Sequence, residues 1–185
     1  MRSAIPLSCI ALLSLGQPST SQPAGVEVWL DDLHAVTYRA RVEGEWLVVE
    51  VHHEPGWHTY AMDNLIRARE KTGKKDPESE LPTVITPGEG LTVDGVWRQS
   101  PPVDLSTPDI GWYTWGFEDR AFFAARINGD ATLPTSVTID GQACTDSLCA
   151  WVEALEVPVE SNEAGEGERS VEPESLVAVA TDPEP

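Results

Sequence analysis

Apolar and polar residues alternate along the middle of the chain, and this pattern predicts β-strands. Residues 36–42 read VTYRARV, and residues 46–51 read WLVVEV, a run rich in β-branched side chains. With Gly, Pro and Asn turn residues between the segments, the same style recurs at 91–96, 121–127, 136–139 and 155–159. No segment shows a sustained apolar stripe with helical spacing. Seven or more short strands separated by turns predict an all-β, immunoglobulin-like β-sandwich.

Two long connections, 62–81 and 99–115, interrupt this pattern. The first contains five of the 12 Lys and Arg residues of the chain, namely Arg67, Arg69, Lys71, Lys74 and Lys75. Its polarity predicts a solvated insertion, with a helical turn or two over 63–71. The second is rich in proline and aromatic residues. Long loops in a compact domain tend to be functional, so we expect this aromatic connection to fold over another part of the domain.

Both ends of the chain differ from the middle in composition. Residues 1–24 contain one Arg, then a short apolar run and then small polar residues, which is typical of a secretory signal peptide. A disordered cytoplasmic leader is the alternative. Residues 161–185 are acidic and contain no aromatic residue, which predicts a disordered tail. We therefore expect one folded domain over 26–160, periplasmic or secreted, with no membrane span in the mature chain.

The net charge of the chain indicates which kinds of partner it can bind. The formal net charge is −19, from 31 acidic and 12 basic residues. Nucleic acid needs a basic surface, so an acidic balance of this size argues against a nucleic-acid partner. The sequence also contains no serine-nucleophile elbow, no phosphate-binding loop and no haem-attachment motif.

Of the three cysteines, Cys9 lies in the predicted signal peptide, and Cys144 and Cys149 remain in the mature chain. An even number of cysteines in an exported protein indicates a disulfide. A loop this short constrains the unfolded chain by only about 2 kcal/mol, so the bond is a weak stabilising device. A cysteine pair with this spacing is suited to thiol–disulfide exchange, since exchange requires two sulfurs within one site. Spacing alone leaves a static disulfide and an exchangeable one equally open.

Three segments together resemble the amino-terminal periplasmic domain of the thiol:disulfide interchange protein DsbD. They are PGWHTY at 55–60, GWYTWG at 111–116 and ACTDSLC at 143–149. The order and spacing of these motifs are more specific than any one of them. The resemblance covers roughly residues 26–160 and implies an immunoglobulin-like sandwich. It also implies that the domain receives electrons from a thioredoxin-like protein and passes them to other periplasmic disulfide proteins.

The resemblance also assigns roles to the two cysteines. Cys149 would form the mixed disulfide with a partner, and Cys144 would resolve it. On this reading the chain is a thiol–disulfide exchange protein that needs no cofactor, and its partners are thioredoxin-like or DsbD-type redox proteins. The alternative is a binding or scaffold module, not an enzyme, in which the disulfide is static.

An aromatic cap shields the disulfide in that family, and the matching region here is 109–115. Asp109, Trp112 and Tyr113 are the candidate cap residues, and Trp57 and Tyr60 are predicted to line the pocket beneath them. A cap makes physical sense because access to a disulfide controls its rate of exchange.

Three departures from the family pattern affect this interpretation. Ala150 and Trp151 follow the second cysteine, where the family usually has proline. The connection 62–81 is longer and more basic than usual. The chain continues into an acidic tail where DsbD continues into membrane helices and a thioredoxin domain, so we expect separate redox partners.

A metal site is the remaining alternative that the sequence suggests. His52, His53 and His58 lie close together and would have the cysteines as soft ligands. Adjacent residues of a strand point to opposite faces, however, so His52 and His53 are poorly placed to share a metal ion. We therefore expect no metal.

Overall fold

The computed structural model describes residues 25–129, 131–161 and 171–181. The predicted signal peptide lies outside these residues. The strands are β1 (Val26–Leu30), β2 (Leu33–Glu43), β3 (Trp46–His53), β4 (His58–Tyr60), β5 (Val84–Pro87), β6 (Val93–Gln99), β7 (Val103–Asp104), β8 (Trp115–Phe117), β9 (Arg120–Ile127), β10 (Thr135–Cys144), β11 (Cys149–Ser161) and β12 (Val177–Ala178). One α-helix, α1 (Asn64–Thr72), follows β4, and short 3₁₀ turns lie at Pro108–Ile110 and Pro173–Ser175.

The strands form two halves that share one core. Neighbouring strands follow the order β12-β6-β9-β3-β2-β11-β10-β4-β8-β7, with β1 paired to β2 and β5 paired to β10. The pairing of β11 with β2 is parallel, and it joins the two halves at 159–161. Fully buried side chains from both halves meet in one cluster, including Tyr38, Leu47 and Phe123 from the first half and Val137 and Ile139 from the second. The predicted all-β, immunoglobulin-like fold is confirmed.

The six predicted strand segments correspond to β2, β3, β6, β9, β10 and β11. In the basic connection, the expected helical turn or two over 63–71 is a nine-residue helix, α1, and it is anchored to the domain where a solvated insertion was expected. Two features set the position and the length of this helix. Asn64 and Ala68 are buried and fasten the helix to the domain, and Gly73 ends it in a left-handed conformation with φ of 67°. Glycine adopts this conformation without the steric cost that other residues bear.

The described part of the predicted tail, 171–181, also differs from the expected disorder. Strand β12 pairs antiparallel with the edge strand β6, through Val177 opposite Gln99 and Ala178 opposite Arg98. The amide of Val179 donates to the carbonyl of Trp97 at 2.9 Å. Pairing with β12 gives hydrogen-bond partners to backbone groups of β6 that an open edge would leave to water. The composition of the tail does not predict this pairing. The remaining tail residues, 162–170 and 182–185, lie outside the described residues.

A second, smaller hydrophobic cluster lies beneath this C-terminal segment. Leu176 is 5 % exposed and packs with Trp46, Val48, Phe122 and Ala124 of strands β3 and β9. The Arg98 guanidinium holds the segment in place by donating to the carbonyl of Leu176 at 2.7 Å. The C-terminal segment is therefore part of the folded domain.

Replacing Leu176 with Ala tests this docking. We expect the free energy of unfolding to fall by about 2 kcal/mol, because the side chain fills a buried apolar site. Urea denaturation followed by tryptophan fluorescence measures the change. Val177→Ala is the matched control, since Val177 is the next residue but is 36 % exposed, so its substitution should change stability little. Equal urea midpoints for Leu176→Ala and the wild-type protein would show that the segment does not dock.

Candidate redox site

The two cysteines close the hairpin between β10 and β11. Cys144 ends β10, Cys149 begins β11, and the two residues are direct cross-strand partners with Cα atoms 4.1 Å apart. Their sulfurs form a disulfide, as the sequence predicts. Residues 145–148 make a tight turn in which the amide of Thr145 donates to the carbonyl of Leu148 at 2.8 Å. The Thr145 hydroxyl in turn accepts a hydrogen bond from the Leu148 amide at 3.1 Å.

The two sulfurs differ in their exposure to solvent. Ala143 and Ala150 pack in the main core, so the adjacent residues Cys144 and Cys149 face the outer side of the sheet. Cys144 is nevertheless only 1 % exposed, whereas Cys149 is partly exposed. A side chain on the outer face can be this well buried only if other parts of the chain cover it.

Strand β4 lies beside β10 and brings two polar aromatic residues to the same outer face. His58 is the cross-strand partner of Cys144, and Thr59 is the partner of Ala143. Tyr60 lies two residues beyond His58 and therefore on the same face. The ring nitrogen Nε2 of His58 and the hydroxyl of Tyr60 are 3.0 Å apart and form a hydrogen bond. Burial of Tyr60 raises the pKa of its hydroxyl, and the nearby Glu80 carboxylate raises it further.

The aromatic connection forms a hairpin beside β4. Strand β8 pairs with β4 on one side and with β7 on the other. The tip between β7 and β8 holds the 3₁₀ turn Pro108–Ile110, followed by Gly111 at φ of 74°, where glycine is favoured. The amide of Thr107 donates to the carbonyl of Trp112 at 2.8 Å, which closes the tip. We call residues 103–117 the cap hairpin.

Gly116 allows the cap hairpin to approach β4 closely. A Cβ atom at this position would lie 2.2 Å from the carbonyl oxygen of Thr59 and 2.9 Å from Leu105 Cδ1, and both distances are too short. The absence of a side chain therefore lets Leu105 lie over the sheet at this point. This is a physical reason for the second glycine of the GWYTWG motif.

A cleft of about 550 Å³ lies between the cap hairpin and the turn that follows Cys144. It is lined by His58 and Tyr60 from β4, Glu80, Thr145 and Asp146, with Leu105, Thr107, Ile110, Trp112, Thr114 and Glu118 from the cap hairpin and its end. The structure thus brings together the disulfide turn, the PGWHTY strand and the aromatic segment. In the sequence, only the family resemblance of their motifs relates these three segments.

The predicted pocket residues take different positions. Tyr60 and Trp112 line the cleft. Trp57 is 7 % exposed and packs in the main core. Asp109 is exposed at the tip of the cap hairpin, and Tyr113 is partly buried, but neither is among the residues that line the cleft. The roles of these residues in exchange remain predictions.

The profile of the family described as "Thiol:disulfide interchange protein DsbD, N-terminal" matches residues 27–161, which is most of the chain. The chain belongs to this family.

The solved structures that are similar to the chain include a DsbD N-terminal domain. The crystal structure of the Neisseria meningitidis DsbD N-terminal domain in its reduced form matches with a TM-score of 0.40 and 14 % sequence identity. The match covers 67 % of this chain and 80 % of that one. No curated protein sequence matches the chain. Family membership and the disulfide between Cys144 and Cys149 together support thiol–disulfide exchange in general terms.

Asn64 holds the cap hairpin of this DsbD-type domain to helix α1. Its side chain is fully buried, and its Oδ1 accepts a hydrogen bond from the amide of Trp115 at 2.7 Å. Oδ1 also lies 3.1 Å from the hydroxyl of Thr114, which donates to it. Nδ2 donates to Ser79 Oγ at 3.0 Å and to the carbonyl of Glu80 at 2.9 Å. This role could not be predicted from the sequence, since one Asn in a polar connection has no distinctive pattern.

Asp63, the residue before Asn64, connects the same helix to the C-terminal segment. Its carboxylate accepts from Arg67 Nε at 2.7 Å, from Gln99 Nε2 at 2.7 Å and from the Ala180 amide at 3.1 Å. Burial alone would raise the pKa of Asp63, but these hydrogen bonds and the Arg67 charge outweigh burial and hold the pKa below its usual value. Asp63 and Asn64 thus join three segments that are distant in the sequence.

His53 supports β4 from the core side. Its Nδ1 donates to the carbonyl of Asp119 at 3.1 Å, and its Nε2 accepts from the hydroxyl of Thr59 at 2.9 Å. Both nitrogens of this ring are therefore occupied by protein groups. No group of three or more His, Cys, Asp and Glu residues suited to a metal ion occurs within 25–129, 131–161 and 171–181.

Replacing Asn64 with Ala tests whether the helix holds the cap hairpin. We expect a loss of about 1–3 kcal/mol in the free energy of unfolding, because buried groups of the hairpin lose their partner. We also expect dithiothreitol to reduce the disulfide faster, because the hairpin is less firmly held. Asn128→Ala is the control, since Asn128 is exposed. Unchanged reduction kinetics in Asn64→Ala would contradict this account of the cap hairpin.

The protonation of His53 predicts a pH dependence of stability. Burial lowers its pKa from 6.5 to about 4, and the neighbouring groups change that only partly. Between these pH values the unfolded chain binds more protons than the folded one, so stability falls as the pH falls through this window. Above pH ~6.5 the contribution of a neutral His53 is fully present.

Urea midpoints at pH 7.5 and pH 4.5 measure this effect in the wild-type protein and in His53→Gln. We expect the loss on acidification to be smaller in His53→Gln, by on the order of 2 kcal/mol. The lowered pKa of Asp63 adds a loss of stability only below its ordinary value of 3.8, which lies outside this range. His52→Gln is the control because His52 is exposed. An equal loss in the wild-type protein and His53→Gln would refute the prediction.

Proposed function

We propose that this protein is an exported thiol–disulfide exchange protein that passes electrons between a thioredoxin-like donor and periplasmic disulfide proteins through Cys144 and Cys149. The observation that carries the proposal is the disulfide on the outer face of the sheet, with one buried sulfur and one partly exposed sulfur beside the cap hairpin. Family membership supports the same chemistry.

The difference in exposure supports the assignment of roles to the two cysteines. A thiolate of the reduced donor attacks Cys149 Sγ, because this is the sulfur that a partner can reach. The bond between Cys149 and Cys144 breaks, and Cys144 leaves as a thiolate that takes up a proton. The second thiol of the donor loses its proton and attacks the donor sulfur of the mixed disulfide, which releases the oxidised donor and the reduced domain. The same steps in reverse order reduce a downstream disulfide, so two electrons pass in each cycle.

Exposed apolar side chains next to Cys149 in the sequence and at the tip of the cap hairpin support a docking surface for redox partners. Leu148 is 45 % exposed, and Trp151 is 61 % exposed and lies on the same face of β11 as Cys149. Ile110, at the tip of the cap hairpin, is 70 % exposed. Large apolar and aromatic residues of this kind contribute strongly to protein–protein interfaces. Trp151 stands where the family usually has proline, so we assign it to partner contact in this chain.

The cap hairpin is proposed to restrict access to the disulfide. Trp112 and Ile110 line the cleft beside Cys144. A partner that displaces the hairpin would reach the sulfurs, whereas small oxidants and unrelated thiols would react slowly. Asp109 and Tyr113 are assigned to the same hairpin as residues that shape its tip. Trp57 supports β4 from the core.

Export to the periplasm is part of the proposal. It is supported by the signal-like composition of residues 1–24. It is also supported by membership of the DsbD N-terminal family, whose domains are periplasmic. In the described part of the chain, no helix has the length and apolar character needed to cross a membrane.

A trapping experiment tests the function. In Cys144→Ser, expressed in the native host, we expect Cys149 to accumulate mixed disulfides with thioredoxin-like or substrate proteins, because the resolving thiol is missing. Gels without reductant, followed by mass spectrometry, identify these species. Cys149→Ser is the matched control and should trap far fewer partners, since its remaining thiol is buried. If neither variant traps a partner, the disulfide is static and the domain is a binding or scaffold module.

A further inference from the structure

His58 occupies a position beside the disulfide that the exchange steps above do not use. In the antiparallel pairing of β4 with β10, His58 lies directly opposite Cys144, while Cys149 lies opposite Cys144 on the other side. Side chains of directly opposed residues lie on the same face, with Cβ atoms about 4.5–5.5 Å apart. The three side chains therefore form a row on the outer face in the order Cys149, Cys144, His58.

The hydrogen bonding of His58 leaves one ring nitrogen available. Nε2 is engaged with the hydroxyl of Tyr60 at 3.0 Å, and the two rings meet edge to face at 5.4 Å. Within the described residues, no hydrogen bond involves Nδ1. In the tautomer with its proton on Nε2, this proton points to the Tyr60 oxygen, and Nδ1 carries a lone pair. Tyr60 thus fixes the orientation of the ring.

The electrostatic surroundings suit a group that accepts a proton and later releases it. Burial lowers the pKa of His58, so that the ring is neutral near pH 7, and the carboxylates of Glu118, Asp146 and Glu80 act in the opposite direction. These three carboxylates belong to the end of β8, the disulfide turn and the segment before β5. With Tyr60 on β4, His53 behind the ring and the two cysteines beside it, they are the titratable groups around His58 among the described residues. Their negative charge stabilises an imidazolium once it forms.

We propose that His58 is the proton acceptor for Cys144, taking up its thiol proton when this residue attacks a mixed disulfide at Cys149. This inference rests on the proposed exchange function and adds a third residue to its site. The Cys144 thiol requires a proton acceptor because it is buried, and burial disfavours the thiolate.

Reduction of a partner passes through a mixed disulfide at Cys149, in which Cys144 is still a thiol. Cys149 Sγ is bonded to a partner sulfur, and the thiol proton of Cys144 passes to Nδ1 of His58. The Cys144 thiolate attacks Cys149 Sγ, the bond to the partner breaks, and the partner leaves as a thiolate with the electron pair. The imidazolium then releases its proton to that thiolate or to water. The domain loses two electrons and two protons, which the reduced partner gains.

A chromogenic aromatic disulfide tests this without any physiological partner. Reduced protein reacts with 5,5′-dithiobis(2-nitrobenzoate) in two phases. Cys149 first forms a mixed disulfide and releases one thionitrobenzoate, and Cys144 then displaces the second. In His58→Gln we expect an unchanged first phase, and a second phase slowed by about tenfold or more at pH 7. The pH profile of the second phase should lose the ionisation of the histidine and rise only with that of the thiol.

Two further variants keep the test decisive. Tyr60→Phe retains the ring but removes the hydroxyl that orients His58, so we expect a smaller slowing of the second phase alone. His52→Gln, an exposed position on β3, three strands from β10 in the strand order, should match the wild-type protein. Thermal unfolding of each variant confirms that it is folded.

The outcomes separate this inference from the proposed function. If His58→Gln shows the wild-type second phase from pH 6 to pH 8, His58 does not accept the proton, whatever partners are trapped in the host. If the second phase slows but no partner is trapped in the host, the proton role stands and the proposed electron-transfer function fails.

Discussion

The register of β4 against β10 is the constraint on which the rest of the site depends. It places Thr59 opposite Ala143 on the core side and His58 opposite Cys144 on the outer side. A shift by one residue would exchange these faces and move the histidine and tyrosine into the core. The hydrogen bond between His53 and Thr59 stabilises this register on the core side. The close approach of Gly116 to the carbonyl oxygen of Thr59 stabilises it at the other edge of β4. The pocket motif and the aromatic motif are therefore parts of one arrangement of strands.

The buried pair Asp63 and Asn64 extends this arrangement beyond the sheet. Asn64 fixes the backbone of the cap hairpin at Trp115, and Asp63 fixes the C-terminal segment at Ala180. Both residues lie at the start of α1, so the helix, the hairpin and the C-terminal segment are mechanically connected. Buried polar groups stabilise a structure only when their partners are all in place, and here those partners come from three distant parts of the chain. The position of the cap hairpin thus depends on contacts that lie far from the disulfide.

The sequence predicted the elements whose signal is local. Alternation gave the main strands, and the spacing of Cys144 and Cys149 gave the disulfide, because both depend on a few adjacent residues. The docking of Leu176 could not be predicted, because a short apolar run in an acidic tail is more often inert and its partner strand lies about 80 residues away. The role of Asn64 was missed for a similar reason, and so was the difference between Trp57 in the core and Tyr60 in the cleft. Such positions are set by long-range pairing, which no single segment encodes.

We infer that the disulfide is a site of chemistry and contributes little to stability. Its short loop predicts a small stabilising effect, and its place on the outer face beside a cap hairpin predicts regulated access. Redox titration in glutathione buffers, combined with melting temperatures of the oxidised and reduced protein, tests the claim most directly. We predict a reduction potential above about −300 mV and a reduced domain that stays folded with nearly the same melting temperature. A disulfide that resists these buffers, or a domain that unfolds when the bond is reduced, would contradict it.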